Sequence, residues 1–225
     1  MTELPDDAAP PKDVYAPPDA PLNVVHADHA VLVVEKPAGL LSVPGKGEHL
    51  ADCLIARVQG AFPEALLVHR LDRDTSGVMV FALTPAAQRH LGLQFEKRTV
   101  RKVYVAEVWG RVEPLTGVVD LPLIVDWPNR PRQKVDHEAG RPALTEWRVV
   151  RHGERSTRLR LMPRTGRSHQ LRVHMAALGH PILGDPFYAT GAALDAPRLM
   201  LHSESLRFRH PDGGKTLTFS AKCPF

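Results

Sequence analysis

The chain has 225 residues, with 29 Lys plus Arg against 25 Asp plus Glu, a net charge of +4, and 21 prolines. That length can bury a continuous core in one domain or in two lobes sharing a sheet, and so small a positive excess speaks only weakly for a polyanionic partner. Cys53 and Cys223, the only two cysteines, lie far apart, which excludes a disulfide framework and a CxxC site.

Residues 1–21 are acidic and proline-rich and are expected to be a poorly ordered tail. They show neither the basic-then-apolar pattern of a secretory signal nor the apolar run of a spanning helix, so a cytoplasmic protein is expected. From Leu22 onward a single folded domain is expected. AVLVVEKPAG (30–39) reads as a buried strand ending in a Pro and Gly turn, and Leu50, Leu54, Ile55 and Val58 predict a helix over 48–62. Thr84 followed by Pro85 predicts a capped helix that ends near Lys97, with Ala87, Leu91 and Phe95 on one side. KVYVAEVWG (102–110) alternates as a half-buried strand that sets Tyr104 on the face opposite Val103 and Val105. ALTEWRVVRH and STRLRLMP predict an antiparallel pair, Ser168 a helix cap before Leu171, Met175 and Leu178, and the closing SLRFRH and KTLTFSA a hairpin.

Chemistry concentrates in HRLDRDTSG (69–77), where Arg70, Asp72, Arg73 and Asp74 crowd one link between apolar stretches. A turn needs only Gly77 or one side chain that bonds its own backbone, so the charge exceeds what a turn requires. Seven arginines and one acid, Glu154, fall between Arg151 and Arg172, and PNRPRQK (128–134) adds a second basic run. These runs are either a phosphate-tracking face or solvated strand edges. Of the 12 histidines, His169 and His174 lie five apart, on different helical faces, and no set at metal-ligand spacing is completed. Ser76 with His69 and Asp72 lacks the GxSxG spacing of a nucleophile elbow.

HRLDRDTSG, RKVYVA (101–106), TGRSHQLRVH (165–174) and GHPILGD (179–185) occur in the order and with the spacing of the RluA-type RNA pseudouridine synthases. The resemblance extends from Val24 to the C-terminus. DWPNRPRQKV (126–135), together with the lack of an S4-type N-terminal domain, resembles the dual-specificity tRNA and rRNA branch. It implies an α+β fold, a mixed and mainly antiparallel sheet in two lobes around a cleft, and cofactor-free isomerisation of uridine to pseudouridine. It further implies Asp72 as the catalytic aspartate, Arg70 as the arginine that helps to flip the target, Tyr104 as the active-site tyrosine, Arg167 as the basic partner of the aspartate and Leu171 as a pocket-lining position. Asp74 falls at a variable position of the motif and is expected to be a turn former.

The chemistry suits those residue types. Breaking a bond between sugar and base leaves positive character at the sugar carbon, which a carboxylate can stabilise or capture; attack of the same carboxylate on the uracil ring is the alternative route. A permanent guanidinium would keep that carboxylate ionised inside a closed pocket. The uridine must first leave its stack, with Arg70 filling the space and Tyr104 stacking on the extruded base. The Tyr104 hydroxyl, a water or Asp72 would then take the C5 proton. Arg130, Arg132 and Lys134 of the second basic run are expected to grip phosphates of two RNAs, a tRNA anticodon stem-loop and a large-subunit rRNA hairpin. A monomer without metal or cofactor is expected.

Overall fold

The computed structural model describes residues 15–225. Of the tail expected over 1–21, residues 1–14 lie outside that range, and residues 15–21 have no regular structure but are held in place. The Tyr15 hydroxyl donates to the Asp52 carbonyl (2.8 Å) and accepts from the Leu41 N–H (3.0 Å), while Arg57 donates to the Pro18 and Ala20 carbonyls. Folded structure therefore starts earlier than Leu22.

Strands β1 (Asn23–Ala27) and β2 (Val31–Lys36) pair antiparallel. The helix expected over 48–62 is divided into a 3-10 turn, Glu48–Leu50, and helix α1 (Leu54–Ala61). The break falls where the Asp52 carbonyl bonds Tyr15 and the Asp52 carboxylate holds Arg57 through two hydrogen bonds of 2.7 and 2.8 Å. The short β3 (Leu66–Leu67) and the long β4 (Ser76–Ala82) flank the charged link. Helix α2 (Pro85–Glu96) begins as expected, with the Ala87 N–H donating to the Thr84 hydroxyl at 3.1 Å.

Then come β5 (Arg101–Trp109), the short β6 (Thr116–Asp120), β7 (Leu123–Val125) and β8 (Gln133–Val135), and the expected antiparallel pair β9 (Leu144–His152) and β10 (Ser156–Pro163). Helix α3 (Gln170–Ala177) is not capped by Ser168. His169 occupies the cap in the left-handed region (φ 51°), and the loop before it is tied instead by the Gln170 side chain, which accepts from the Arg167 N–H (3.0 Å) and the Thr165 hydroxyl (2.7 Å). Strands β11 (Leu201–Arg209) and β12 (Thr216–Ser220) close the chain as the expected hairpin.

One sheet runs in the order β1-β2-β4-β11-β5-β10-β9-β6, with β3 on β4 and β12 on β11, while β7 and β8 form a separate ribbon. All its pairs are antiparallel except β4 with β11, which forms the seam between the two halves. In β2 and β4 both faces are buried, which explains their unbroken apolar sequence. Val31, Val33, Val78 and Val80 pack with Ala87 and Leu91 of α2, whereas Leu32, Val34, Met79 and Phe81 pack with Leu54 and Val58 of α1. Across the seam, Ala106, Trp147, Leu159 and Leu161 pack under Leu171 and Met175 of α3. Tyr104 touches the cores on both sides, at the floor of the cleft between the halves.

Candidate active site

The link that carries Asp72 is fixed from behind. The buried Lys36 ammonium donates to the carbonyls of Pro37 (2.9 Å), Leu40 (2.6 Å) and Arg73 (2.7 Å), which uses all three of its protons and ties KPAG to DRDTSG. Burial pulls this lysine down to about 7. The Ser42 hydroxyl donates to the Leu71 carbonyl (2.7 Å) and accepts from the Leu71 N–H (3.1 Å). Gly77 ends the link with φ 116°, and a Cβ there would stand 2.3 Å from the Ser203 carbonyl oxygen, so only glycine lets β4 approach β11. Ser76 is bound to His202 (2.9 Å) and Arg198 (2.6 Å) and has no nucleophile arrangement with His69. Asp74 pairs with Arg73 at 2.9 Å and plays a local part, while Asp72 lines a cavity of about 300 Å³ between the two halves.

The positive partner of Asp72 is Arg172, not Arg167. Arg172 Nη1 lies 3.4 Å from Asp72 Oδ2, and its Nε and Nη2 each donate to the fully buried Asp185 at 2.7 Å. Arg167 lines the same cavity, but its Nε donates to the Pro142 carbonyl at 3.2 Å. With α3 starting at Gln170, Arg172 falls on the inward face beside Leu171, and Arg167 stays in the loop. The Phe187 and Tyr188 rings lie 5.1 and 5.4 Å from the Arg172 guanidinium. A buried arginine held by a bidentate carboxylate and two aromatic faces is locked in direction, which leaves one edge for Asp72.

His169 is the second neighbour of Asp72, with Nε2 at 4.0 Å from Oδ2. Its Nδ1 lies 2.7 Å from the Tyr188 hydroxyl, which also accepts from the Gln133 N–H at 2.8 Å. Burial raises Tyr188 to about 12, so it keeps its proton at neutral pH. Burial also lowers the pKa of His169, so the ring is neutral at pH 7.

Tyr104 and Leu171 line the cavity, as does Arg70, which is exposed at its mouth. Burial first and Asp72 second raise the Tyr104 phenol above its ordinary range. It is therefore a neutral ring that offers a face for stacking and is poorly suited to act as a base. His69 stacks on Phe95 (4.7 Å between centroids) and accepts from the Val80 N–H (3.1 Å), and burial pulls it down to about 3.

Neither basic run behaves as one continuous face. Arg151 and Arg158 pair with Glu107, Arg160 with Glu204 and Arg164 with Glu146, so three carboxylates from other strands engage four of the seven arginines of the first run. In the second, no residue lines the cavity. Arg130 lies 4.4 Å over the exposed Trp127 ring, Arg132 donates to the Phe187 carbonyl, and Lys134 is 3.9 Å from Asp136. The β7–β8 ribbon that carries them meets the site through Tyr188 and Phe187, and its Leu123 and Val135 pack with Val173 of α3.

Sequence reasoning missed Arg172, Asp185, His169 and Lys36. Arg172 and Asp185 fall inside motifs that carried the resemblance, and two opposite charges set in apolar surroundings in HQLRVHM and HPILGDP were the available signal for a buried pair.

Residues 30–177 match the model of the family described as RNA pseudouridylate synthase. The "Dual-specificity RNA pseudouridine synthase RluA" of Escherichia coli (strain K12) is 55% identical over 214 residues, covering 94% of this chain and 98% of that protein. The protein of the same name from Yersinia pestis is 52% identical over 204 residues, covering 90% and 99%. The solved structure "Human RNA Pseudouridylate Synthase Domain Containing 1" superposes with a TM-score of 0.76 at 29% identity, covering 96% of this chain and 87% of that one. With a carboxylate, a locked guanidinium and a tyrosine gathered in one cleft, the chain belongs to the RNA pseudouridylate synthase family and is an enzyme that isomerises uridine in RNA.

Proposed function

We propose that this enzyme modifies two RNAs, the first loop position of a tRNA anticodon stem-loop and a hairpin loop of large-subunit rRNA, with Asp72 as the nucleophile. The observation that carries the role of Asp72 is its carboxylate in the cleft, 3.4 Å from Arg172 and on the same cavity wall as Tyr104. The dual specificity rests on relatives of that description at 55% identity over 94% of the chain.

The steps follow from the groups present. A uridine inside a stem cannot reach a carboxylate at the bottom of a cleft, so it swings out at a cost of a few kcal/mol, less in a loop. Arg70 at the cavity mouth occupies the vacated stack, and Tyr104 packs on the uracil. Asp72 then captures the anomeric carbon or adds to the uracil ring, and Arg172 stabilises the ionised carboxylate that either route requires. The base rotates and rejoins through C5. Because the Tyr104 phenol is held in its protonated form, Asp72, freed of its covalent bond, is the better acceptor for the C5 proton.

Mapping pseudouridine in tRNA and rRNA from cells with and without the protein tests the specificity: both positions should be lost together, and the loss of only one would reduce the reading to a single substrate. For the nucleophile, Asp72→Asn should bind a stem-loop and form no pseudouridine. Product from that variant would remove Asp72 from the mechanism.

A further inference from the structure

A second cavity, of about 330 Å³, opens beside the first and shares with it Phe95, Lys102, Thr165, Gly166 and Arg167. Its remaining walls carry Arg98 and Arg164, with Glu96 as its carboxylate. Arg164 is already committed to Glu146 through two hydrogen bonds of 2.8 and 2.9 Å. Arg98, Lys102 and Arg167 have no acidic partner within ion-pair distance among the described residues. Lys102 is the unusual member. Its ammonium donates to the Thr165 carbonyl (2.9 Å), the one bond it makes among the described residues, and glycine at 166 leaves that side uncovered, since even a Cβ there would come within 3.6 Å of Nζ. A part-buried ammonium with unused donors and no counter-charge is costly unless an anion completes it. Burial, and Arg98 after it, already draw Lys102 down to about 8.

Arg98 points the same way by a separate route. Helix α2 ends in a Schellman motif, in which the Arg98 N–H donates to the Phe95 carbonyl (3.1 Å) and the Thr99 N–H to the Gln94 carbonyl (2.9 Å). The residue after the cap in this motif must be left-handed, and it is by preference glycine. Here it is Arg98, at φ 57°. A residue with a Cβ in that conformation costs stability relative to glycine, and sites of this kind persist where the side chain is used.

We propose that Arg98, Lys102 and Arg167 form a subsite for one backbone phosphate of the substrate RNA, the phosphodiester flanking the flipped uridine. This deepens, and rests on, the assignment of RNA as substrate. The shared wall sets the scale: a base held in the first cavity has its own backbone at the rim where the second begins. The subsite would fix which nucleotide of a loop stands over Asp72, whatever its neighbours' bases, because phosphate contacts set register without reading sequence.

The test uses an RNA hairpin in which the unsubstituted protein forms pseudouridine, so a wrong choice among the two proposed RNAs is detected first and does not enter the result. Each phosphodiester of the loop is replaced in turn by a neutral methylphosphonate, and Kd is measured for the protein and for Arg98→Gly and Lys102→Met. At one linkage beside the target uridine, neutralisation should weaken binding about tenfold in the unsubstituted protein and less than about twofold in either variant. Arg98→Gly should also flatten the dependence of log K on log salt by about 0.7 and leave the melting temperature equal or about 2 °C higher. Losses that add independently at every linkage would overturn the subsite. So would weaker binding of Arg98→Gly accompanied by a fall in melting temperature, which would make Arg98 only a helix terminator.

Discussion

Asp185→Asn is the most informative single change, because it leaves Asp72 and Arg172 in the chain and removes only what aims one at the other. Asp185 Oδ1 accepts from Arg172 Nη2 (2.7 Å), the Phe187 N–H (2.9 Å) and the Tyr188 N–H (3.3 Å), and Oδ2 accepts from Arg172 Nε (2.7 Å). An asparagine can keep the three bonds at Oδ1 with its amide oxygen, but its NH2 then faces the Nε–H, donor against donor. One charge-assisted bond is lost and a buried guanidinium loses the nearer of its two carboxylates. Together these cost about 3–4 kcal/mol. At about 2–4 °C per kcal/mol for a chain of this size, the melting temperature should fall by about 6–16 °C. Freed on one side, Arg172 can turn toward Asp72, and displacement of the reacting carboxylate by about 1 Å costs on the order of 100-fold in turnover. Thermal unfolding followed by single-turnover conversion of a stem-loop, well below the lowered melting point, measures both quantities. Full turnover despite the expected fall in melting temperature would show that Asp185 serves the fold alone and that Arg172 needs no aiming.

Three further outcomes are expected. Asp74→Asn should retain most activity in the same conversion assay, since its carboxylate engages Arg73 at 2.9 Å and not the cavity; inactivity comparable to Asp72→Asn would contradict the separation of the two acids. Stability should decline on acidification below about pH 6.5: His69 is held at about 3 when folded, so between these values the unfolded chain takes the proton first, and from pH 7 to 5.5 this residue alone removes about 1 kcal/mol. Urea titrations at the two pH values should show a shallower loss in His69→Asn, and identical slopes would mean that other groups govern the acid limb. Gly77→Ala places a methyl 2.3 Å from the Ser203 oxygen in left-handed backbone and should destabilise by more than about 3 kcal/mol, read as a large drop in the urea midpoint; a midpoint within error of the parent would mean that the seam can yield.

Periodicity and caps carried much of the fold. The runs that became β2, α2, β5, β9 and β10, and the terminal hairpin, read correctly because each presents a long, regular pattern or a strong start signal such as Thr84 with Pro85. The strands β7 and β8, three residues each, are too short to show any period. At the site, Asp72, Tyr104 and Leu171 were legible from motif order. The partner of Asp72 was not, because the resemblance put that role on Arg167, which stays in the loop bound to the Pro142 carbonyl, while Arg172, one turn into α3, faces the carboxylate. The fate of the arginine run was equally hidden. Its neutralising acids arrive from strands up to 51 residues away in the chain, a relation that only pairing register reveals.

An unbroken sheet beneath both halves has a mechanical consequence. Domain-closing enzymes bend at a few unpaired connecting residues, but here each strand along the spatial order β1-β2-β4-β11-β5-β10-β9-β6 is hydrogen-bonded to its neighbour, and the one parallel pair is held close by a glycine with no room for a side chain. A cleft built this way resists shutting like a jaw. The deformation needed to bring a stacked uridine to a buried carboxylate must then come from the nucleic acid, so an RNA's suitability as substrate should follow the ease with which its loop unfolds and refolds around a rigid mould.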